Sequence, residues 1–372
     1  MGLKIAFDHQ VFTMQRYGGV SRYYFNLIGE LLKLNQEPKV FAGIFQNQYL
    51  QQLDESLYSG FPIQKYPKGT GRFFNFGNHF ISQKQIKNFA PDIIHETYYS
   101  QIKINNSRIP RVVTVYDMIH ELFPESFPKN DPLSRWKKRA LENADHIISI
   151  SYHTKSDLVN LFQIPESKVS VVHLASNFLV GEKSTIKNKG TKPFVLYVGA
   201  REDYKNFDIL LKAFSKSKKI NQDFSLIAFG GGAFNSSEIS RIKELGLSLE
   251  NVKQLSGNDQ MLFDLYSSAS VFVYPSKYEG FGLPPLEAMA CGCPVISSDS
   301  SSMPEVIGDA AAFFSPLESD ELIAALDRVL YQEEERNKLI SKGKIRLSNF
   351  SWKKCAEETL QVYEKVIETY EK

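Results

Sequence analysis

Three cysteines in 372 residues, Cys291, Cys293 and Cys355, are too few for a disulfide framework, and a reducing compartment suits them. Cys291-Gly-Cys293 is not a zinc-ligand spacing, and small buried residues beside a helix end are the plainer reading. No segment approaches the roughly 18 consecutive apolar residues of a membrane-spanning helix. The first residues, MGLKIAFDHQ, enter a strand pattern at once, with no apolar signal region and no cleavage site. Ala6 stands where a myristoylation signal needs Ser or Thr. The expected location is therefore the cytoplasm. Nucleotide motifs are also missing. There is no Walker A sequence, and FGGGAFNSSE fails the G-x-G-x-x-G fingerprint because Asn235 holds the last glycine position. No D-x-D metal motif occurs, and Asp299 is followed only by serines. Internal repeats and low-complexity tracts are absent. A formal net charge of +2 gives no reason to expect nucleic acid as a partner.

What is present is the composition of a globular protein, 42% hydrophobic and 23% charged. The length suggests two domains. Residues 1–180 carry 20 Lys+Arg against 15 Asp+Glu, and the remainder 24 against 27. That asymmetry suits a first half facing something anionic, and equally suits ordinary scatter of surface charge. Short apolar runs alternate with helix-period segments: LKIAFD, KVFAGIF, DIIHET, RVVTVYD, HIISIS and VSVVHLA, then FVLYVGA, FSLIAFG, NVKQLS, VFVYPS and PVISSD. Runs apolar on both faces suit parallel strands covered by helices. Two doubly wound α/β domains are expected, over 1–180 and 190–350, joined through GEKSTIKNKGTKP at 181–193. From Ser351 on, Leu360, Tyr363, Val366 and Ile367 keep helical spacing, which predicts a last helix able to cross back onto the first domain.

In such folds ligands bind beyond the carboxyl ends of the strands. The most informative of these loops lies in YEGFGLPPLEAMACGCPV. Pro284 and Pro285 suit the first turn of a helix, and Gly292 with Pro294 suits its end. Glu279-Gly280-Phe281-Gly282-Leu283 is then a strand-to-helix loop whose amides favour an anion. Glu279 precedes the helix and Glu287 is placed in its first turn. Two carboxylates flanking an anion site suit hydroxyls on either side of a diphosphate, the layout of a nucleotide sugar. Helix-dipole charge for Glu287 and a solvated loop acid for Glu279 are the bland alternatives.

The run YPSKYEGFGLPPLEAMACGCPVISSDSSSMPEVIGDAAAFF closely resembles the signature of retaining, GT-B-fold glycosyltransferases of family 4. The resemblance implies two Rossmann-like domains with parallel sheets facing a central cleft, the first for the acceptor and the second for the nucleotide sugar. It implies that Glu287 binds the ribose hydroxyls, that Glu279 meets the donor sugar, and that Gly280, Phe281, Gly282 and Leu283 offer amides to sugar and diphosphate. Arg201 and Lys205, in the loop of YVGAREDYKNFDILLKAFS, fall where the family carries pyrophosphate ligands. Ala200 intervenes between Gly199 and the arginine, a departure that leaves Lys205 the better match. Gly18 and Gly19 in QRYGGVSRYYFNLI fall at the family's glycine-rich loop. The GGG turn and SGNDQMLFDLYSSAS fall near the nucleoside base. In VVTVYDMIHELFPESFP, Asp117 keeps the family's aspartate in the active site, Tyr116 replaces its histidine, and His120 is either a site residue or a half-buried structural histidine.

The activity so implied is hexosyl transfer from a GDP- or UDP-linked sugar, mannose among the candidates, to a saccharide or lipid-linked saccharide hydroxyl. Arg201, Lys205 and the loop amides would stabilise the leaving diphosphate without a metal or other cofactor. A phosphate oxygen would take the acceptor proton. Trp136, Lys137, Lys138 and Arg139 could rest on an anionic membrane, or form a solvated helix face. Other functions compatible with the architecture are a sugar-nucleotide epimerase, a phosphorylase carrying pyridoxal on a lysine, and a binding protein without turnover.

Overall fold

A computed structural model describes residues 2–100, 109–178 and 192–371. Residues 181–191 of the expected linker lie outside the described residues. The chain forms two units. The first comprises Met1–Glu121, Pro128–Leu174 and Trp352–Lys372, and the second Leu122–Phe127 and Ala175–Ser351.

Unit 1 holds a seven-stranded sheet of β1 (Lys4–Phe7), β2 (Glu37–Phe45), β3 (Tyr58–Pro62), β4 (Ile93–Glu96), β5 (Arg111–Val115), β6 (His146–Ser149) and β7 (Val169–Val171), in the order β3-β2-β1-β4-β5-β6-β7. Unit 2 holds six strands, β8 (Phe194–Val198), β9 (Ser225–Phe229), β10 (Val252–Leu255), β11 (Val271–Tyr274), β12 (Val295–Ser298) and β13 (Ala311–Phe314), in the order β10-β9-β8-β11-β12-β13. Among the described residues every strand pairing is parallel. The central strands are buried along their whole length, as their unbroken apolar runs require. Strand order reverses between β1 and β4, and again between β8 and β11. Each reversal opens a crevice at the carboxyl ends of the strands.

The expected strands all form, and two more appear. β3 (YSGFP) and β13 (AAFF) are short edge strands, and β3 is exposed at its end. β3 has no continuous apolar run, as an edge strand needs none, and the run of β13 begins with alanines, which favour helix over strand. In unit 2 the core packs Leu210, Phe214, Leu226, Ile296 and Leu326, all fully buried. Each such side chain contributes about 1.5–3 kcal/mol by leaving water.

The helix Trp352–Glu371 belongs to unit 1 and packs on the helix Gly19–Lys33. It buries Cys355, Thr359, Val362, Tyr363 and Val366, a stripe of helical period. The Tyr363 hydroxyl lies 2.6 Å from His95 Nδ1, and Thr114 Oγ1 lies 2.8 Å from His95 Nε2. Burial pushes the His95 pKa down to about 3, so the ring joins strand and helix as a neutral group.

Candidate active site

The crevice of unit 2 is built from the loops that follow β8 and β11, the two strands flanking its order reversal. After β11 the chain runs through Pro275–Gly282 into the helix Leu283–Ala290. Gly282 caps that helix at φ 103°, and a Cβ there would stand 3.0 Å from Met303 Cε. The positive φ favours glycine, and any side chain would also have to displace the Met303 methyl. The helix closes in a Schellman motif: the Gly292 amide donates to Met289 O at 3.0 Å and the Cys293 amide to Ala288 O at 2.9 Å. Cys291 and Cys293 are thus helix-end residues.

After β8 the chain makes one short helical turn, Asp203–Lys205, and then Asn206 adopts a left-handed conformation at φ 57°. The Asn206 side-chain Nδ2 donates to Pro275 O at 3.0 Å and to Pro316 O at 2.8 Å, and the Lys277 backbone amide donates to Tyr204 O at 2.7 Å. These bonds fasten the two loops together. They place Lys205 Nζ 2.6 Å from Glu279 Oε1, with Lys205 18% and Glu279 10% exposed. Phe123, from the short segment counted with unit 2, lies 5.9 Å from the ring of Tyr204 and 6.1 Å from that of Tyr278.

A serine run that the sequence reading passed over holds the Glu279 loop in place. Ser301 Oγ accepts the Glu279 amide at 2.9 Å. Ser302 Oγ lies 2.8 Å from Glu279 O and 2.9 Å from Phe281 O, to which it donates. Ser300 donates to Lys277 O and Ser298 to Ser276 O, each at 2.6 Å. The signal was present as SSDSSS, from Ser297 at the end of β12 to Ser302, yet such composition usually marks an ordinary loop. Phe281 is 3% exposed with its ring 5.8 Å from Phe350, so its side chain anchors the loop.

Glu287 is the fifth residue of its helix, one turn deeper than expected, because Leu283 already opens the helix. It is buried, and Tyr266 OH donates to its Oε2 at 3.4 Å. The rings of Tyr274, Phe272 and Tyr266 form a row, with centroids 5.8 and 5.3 Å apart. Burial first, and the neighbouring glutamate second, push the phenol of Tyr274 up beside Glu279 and that of Tyr266 up beside Glu287. Two buried carboxylates thus stand at the ends of one aromatic row.

Arg201, the other cation of the β8 loop, is bonded to the turn after β9. Its guanidinium donates to Glu238 Oε1 at 2.6 Å, to Gly230 O at 2.8 Å and to Gly232 O at 3.0 Å, and stacks 5.0 Å from the Phe234 ring. Gly230, Gly231 and Gly232 all have positive φ, and Arg201 braces that turn from beneath. The ion pair to Glu279 is made by Lys205 alone of the two cations.

In unit 1, Gly18 caps and Gly19 opens the helix Gly19–Lys33, where Gln15 Oε1 accepts the Ser21 amide at 3.2 Å. Asp117 caps its own loop, accepting the Ile119 amide at 3.1 Å. Lys137 is buried beneath it, 1% exposed, donating to Asp117 O at 2.9 Å and to Glu121 Oε2 at 2.7 Å, with the Tyr99 ring 5.6 Å away. Both expectations for Lys137, a membrane contact or a solvated helix face, are therefore corrected: the ammonium points inward and neutralises the acids after β5. Lys138 and Arg139 remain exposed. His120 Nε2 stands 4.0 Å from Asp131 Oδ2, and burial, then Lys137, lower its pKa.

Comparison with known proteins identifies the family. Residues 181–346 match the family model described as glycosyl transferases group 1, and residues 17–175 match glycosyltransferase family 4. O-antigen chain mannosyltransferase B of Escherichia coli is 30% identical over 272 residues, covering 69% of this chain and 71% of that protein. An MMP alpha-(1->4)-mannosyltransferase of Mycolicibacterium hassiacum is 29% identical over 297 residues, covering 74% and 71%. Sucrose-phosphate synthase from Thermosynechococcus elongatus superposes with a TM-score of 0.74 at 19% identity, over 99% of this chain and 100% of that one, a likeness of fold. Matched in this way along both units, the chain is a glycosyltransferase and belongs to the GT-B-fold family 4.

Proposed function

We propose that the protein is a retaining hexosyltransferase that moves mannose from GDP-mannose to a saccharide or lipid-linked saccharide hydroxyl in the synthesis of a surface polysaccharide. The sugar follows from the mannosyltransferases among its relatives. The observation that carries the reading is the Lys205–Glu279 pair between the β8 and β11 loops, in front of the Leu283–Ala290 helix.

An ammonium has three N–H donors. One bond to Glu279 leaves two for diphosphate oxygens, while the Gly280–Leu283 backbone and the helix dipole add positive potential. Glu279, held by Lys205 and the serines, would accept hydroxyl protons of the sugar, and Glu287 those of the ribose. Transfer breaks the bond from the anomeric carbon to the phosphate oxygen, and the electron pair leaves with the GDP. The acceptor oxygen bonds to the same carbon from the same face and passes its proton to a phosphate oxygen. Lys205 would stabilise the departing charge, and no metal or other cofactor is required in this scheme. Arg201 would act by holding the GGG turn. Asp117, based on Lys137, would lie on the acceptor side with Gly18 and Gly19.

The test is turnover with a panel of GDP- and UDP-sugars and a saccharide acceptor, with product anomer read by NMR and with chelator added. GDP-mannose consumed with retained configuration and unimpaired by chelator supports the proposal. An inverted product, or epimerised sugar nucleotide without acceptor, refutes it.

A further inference from the structure

The helix Gly71–Phe89 in unit 1 is turned inside out. Its buried residues are Asn78, His79, Ser82 and Ile86, whereas Phe73 is 75% exposed, Phe76 58% and Phe80 54%. The inward polar face is held in place by specific bonds. Gly43 kinks β2 at φ 64°, and Asn78 pairs with the strand there: Oδ1 accepts the Ile44 amide at 2.8 Å, and Nδ2 donates to Ile44 O at 2.6 Å and Thr13 Oγ1 at 3.0 Å. The His79 ring lies 6.0 Å from that of His9. Rolling the helix to bury its phenylalanines would break all of these contacts.

The outward face is ordered along its length. Phe73, Phe76, Phe80, Lys84 and Lys87 follow at intervals of three or four, which sets them in one stripe. The stripe is about 21 Å long at 1.5 Å per residue. Both lysines are exposed, as are Lys65, Lys68 and Arg72, and no Asp or Glu occurs from Ser56 to Pro91. Such a row of aromatic rings continued by cations is suited to an interface between water and acyl chains that carries negative charge. A second copy of the same face would set like charges against each other.

We propose that this helix face docks the protein onto an anionic phospholipid bilayer, its three phenylalanine rings entering the headgroup boundary and Lys84, Lys87 and Arg72 meeting lipid phosphates. The inference rests on unit 1 alone and is independent of the transfer reaction proposed above.

Flotation with vesicles of phosphatidylcholine and phosphatidylglycerol in equal parts tests it. The full chain should float with these vesicles, and bind at least about tenfold more weakly to phosphatidylcholine alone or in ~0.5 M salt. The variant F73S/F76S/F80S should lose binding by about tenfold or more while keeping its far-UV spectrum and its thermal shift with sugar nucleotide. The separate variant K84E/K87E, which removes no ring, should lose binding to anionic vesicles as well. Wild-type protein that stays behind, or a triple-serine variant that floats as well as wild type, overturns the proposal. So does a concentration-dependent dimer, abolished by F73S/F76S/F80S, in protein that ignores vesicles. Failure of donor binding with vesicle binding intact would count against the transferase reading and not against this one.

Discussion

The two units share one sheet design but use its order reversal differently. In unit 1 the carboxylate that follows β1 at the reversal is Asp8, and neutral donors surround it: the Thr97 amide at 2.9 Å, the Thr97 hydroxyl at 2.5 Å and the Gln10 amide at 2.6 Å. In unit 2 the carboxylate that follows β11 is Glu279, and it faces the ammonium of Lys205. Lone pairs spent on fixed backbone and short side chains make an element of structure. A carboxylate shared with an ammonium on four methylenes can exchange that partner for a ligand. The two order reversals thus hold a fastening after β1 in one unit and candidate chemistry after β11 in the other. Titration differs as well: all seven histidines lie between residues 9 and 173, and unit 2 has none.

The largest expected effect separates the two carboxylates. Glu279→Ala and Lys205→Ala should each lower turnover by about 10²–10³ with little change in melting temperature, the scale seen when one preorganised electrostatic partner is removed. Near-normal turnover in either folded variant would break the comparison. Asp8→Ala should act the other way round, costing about 3 kcal/mol of unit 1 stability, because buried donors of Thr97 and Gln10 lose their acceptor. Calorimetry reads this as a drop confined to one transition. If that variant melts like wild type, the fastening role is wrong.

A smaller effect sharpens the contrast through pH. Burial lowers the His95 pKa to about 3, and burial together with Lys365, Lys168 and Lys155 lowers that of His146 to about 4. Unfolding returns both to about 6.5. Between these values the unfolded chain binds more protons, so stability is complete above pH ~6.5 and falls as the medium acidifies. The slope reaches about 1.4 kcal/mol per pH unit for each such histidine. Calorimetry from about pH 7.5 down to about pH 5 should lower the melting of unit 1 while that of unit 2 holds. Equal movement of both would show that these histidines do not govern it.

The legible part of the molecule is the part where one constraint acts alone. Central strands must be apolar on both faces, and their runs were readable as such. The Glu279 loop was readable because prolines, glycines and carboxylates at fixed offsets leave few other uses. The rest depends on partners distant in the chain. Nothing local marks Lys137 as buried, since the acid it serves, Glu121, lies before the helix that carries it. Arg201 and Lys205 look alike in sequence, and only the GGG turn, some thirty residues on, claims the arginine. The serines after β12 act across a neighbouring loop. Nothing local marks Phe73, Phe76 and Phe80 as exposed, since it is the bulge at Gly43 that claims the opposite helix face for Asn78.

A crystal structure of the protein with GDP-mannose tests the central claim most directly. The account predicts the diphosphate against Lys205 and the amides of the 280–283 loop, with Glu279 within about 3 Å of sugar hydroxyls. A donor bound elsewhere, with Lys205 and Glu279 still paired only to each other, would contradict it.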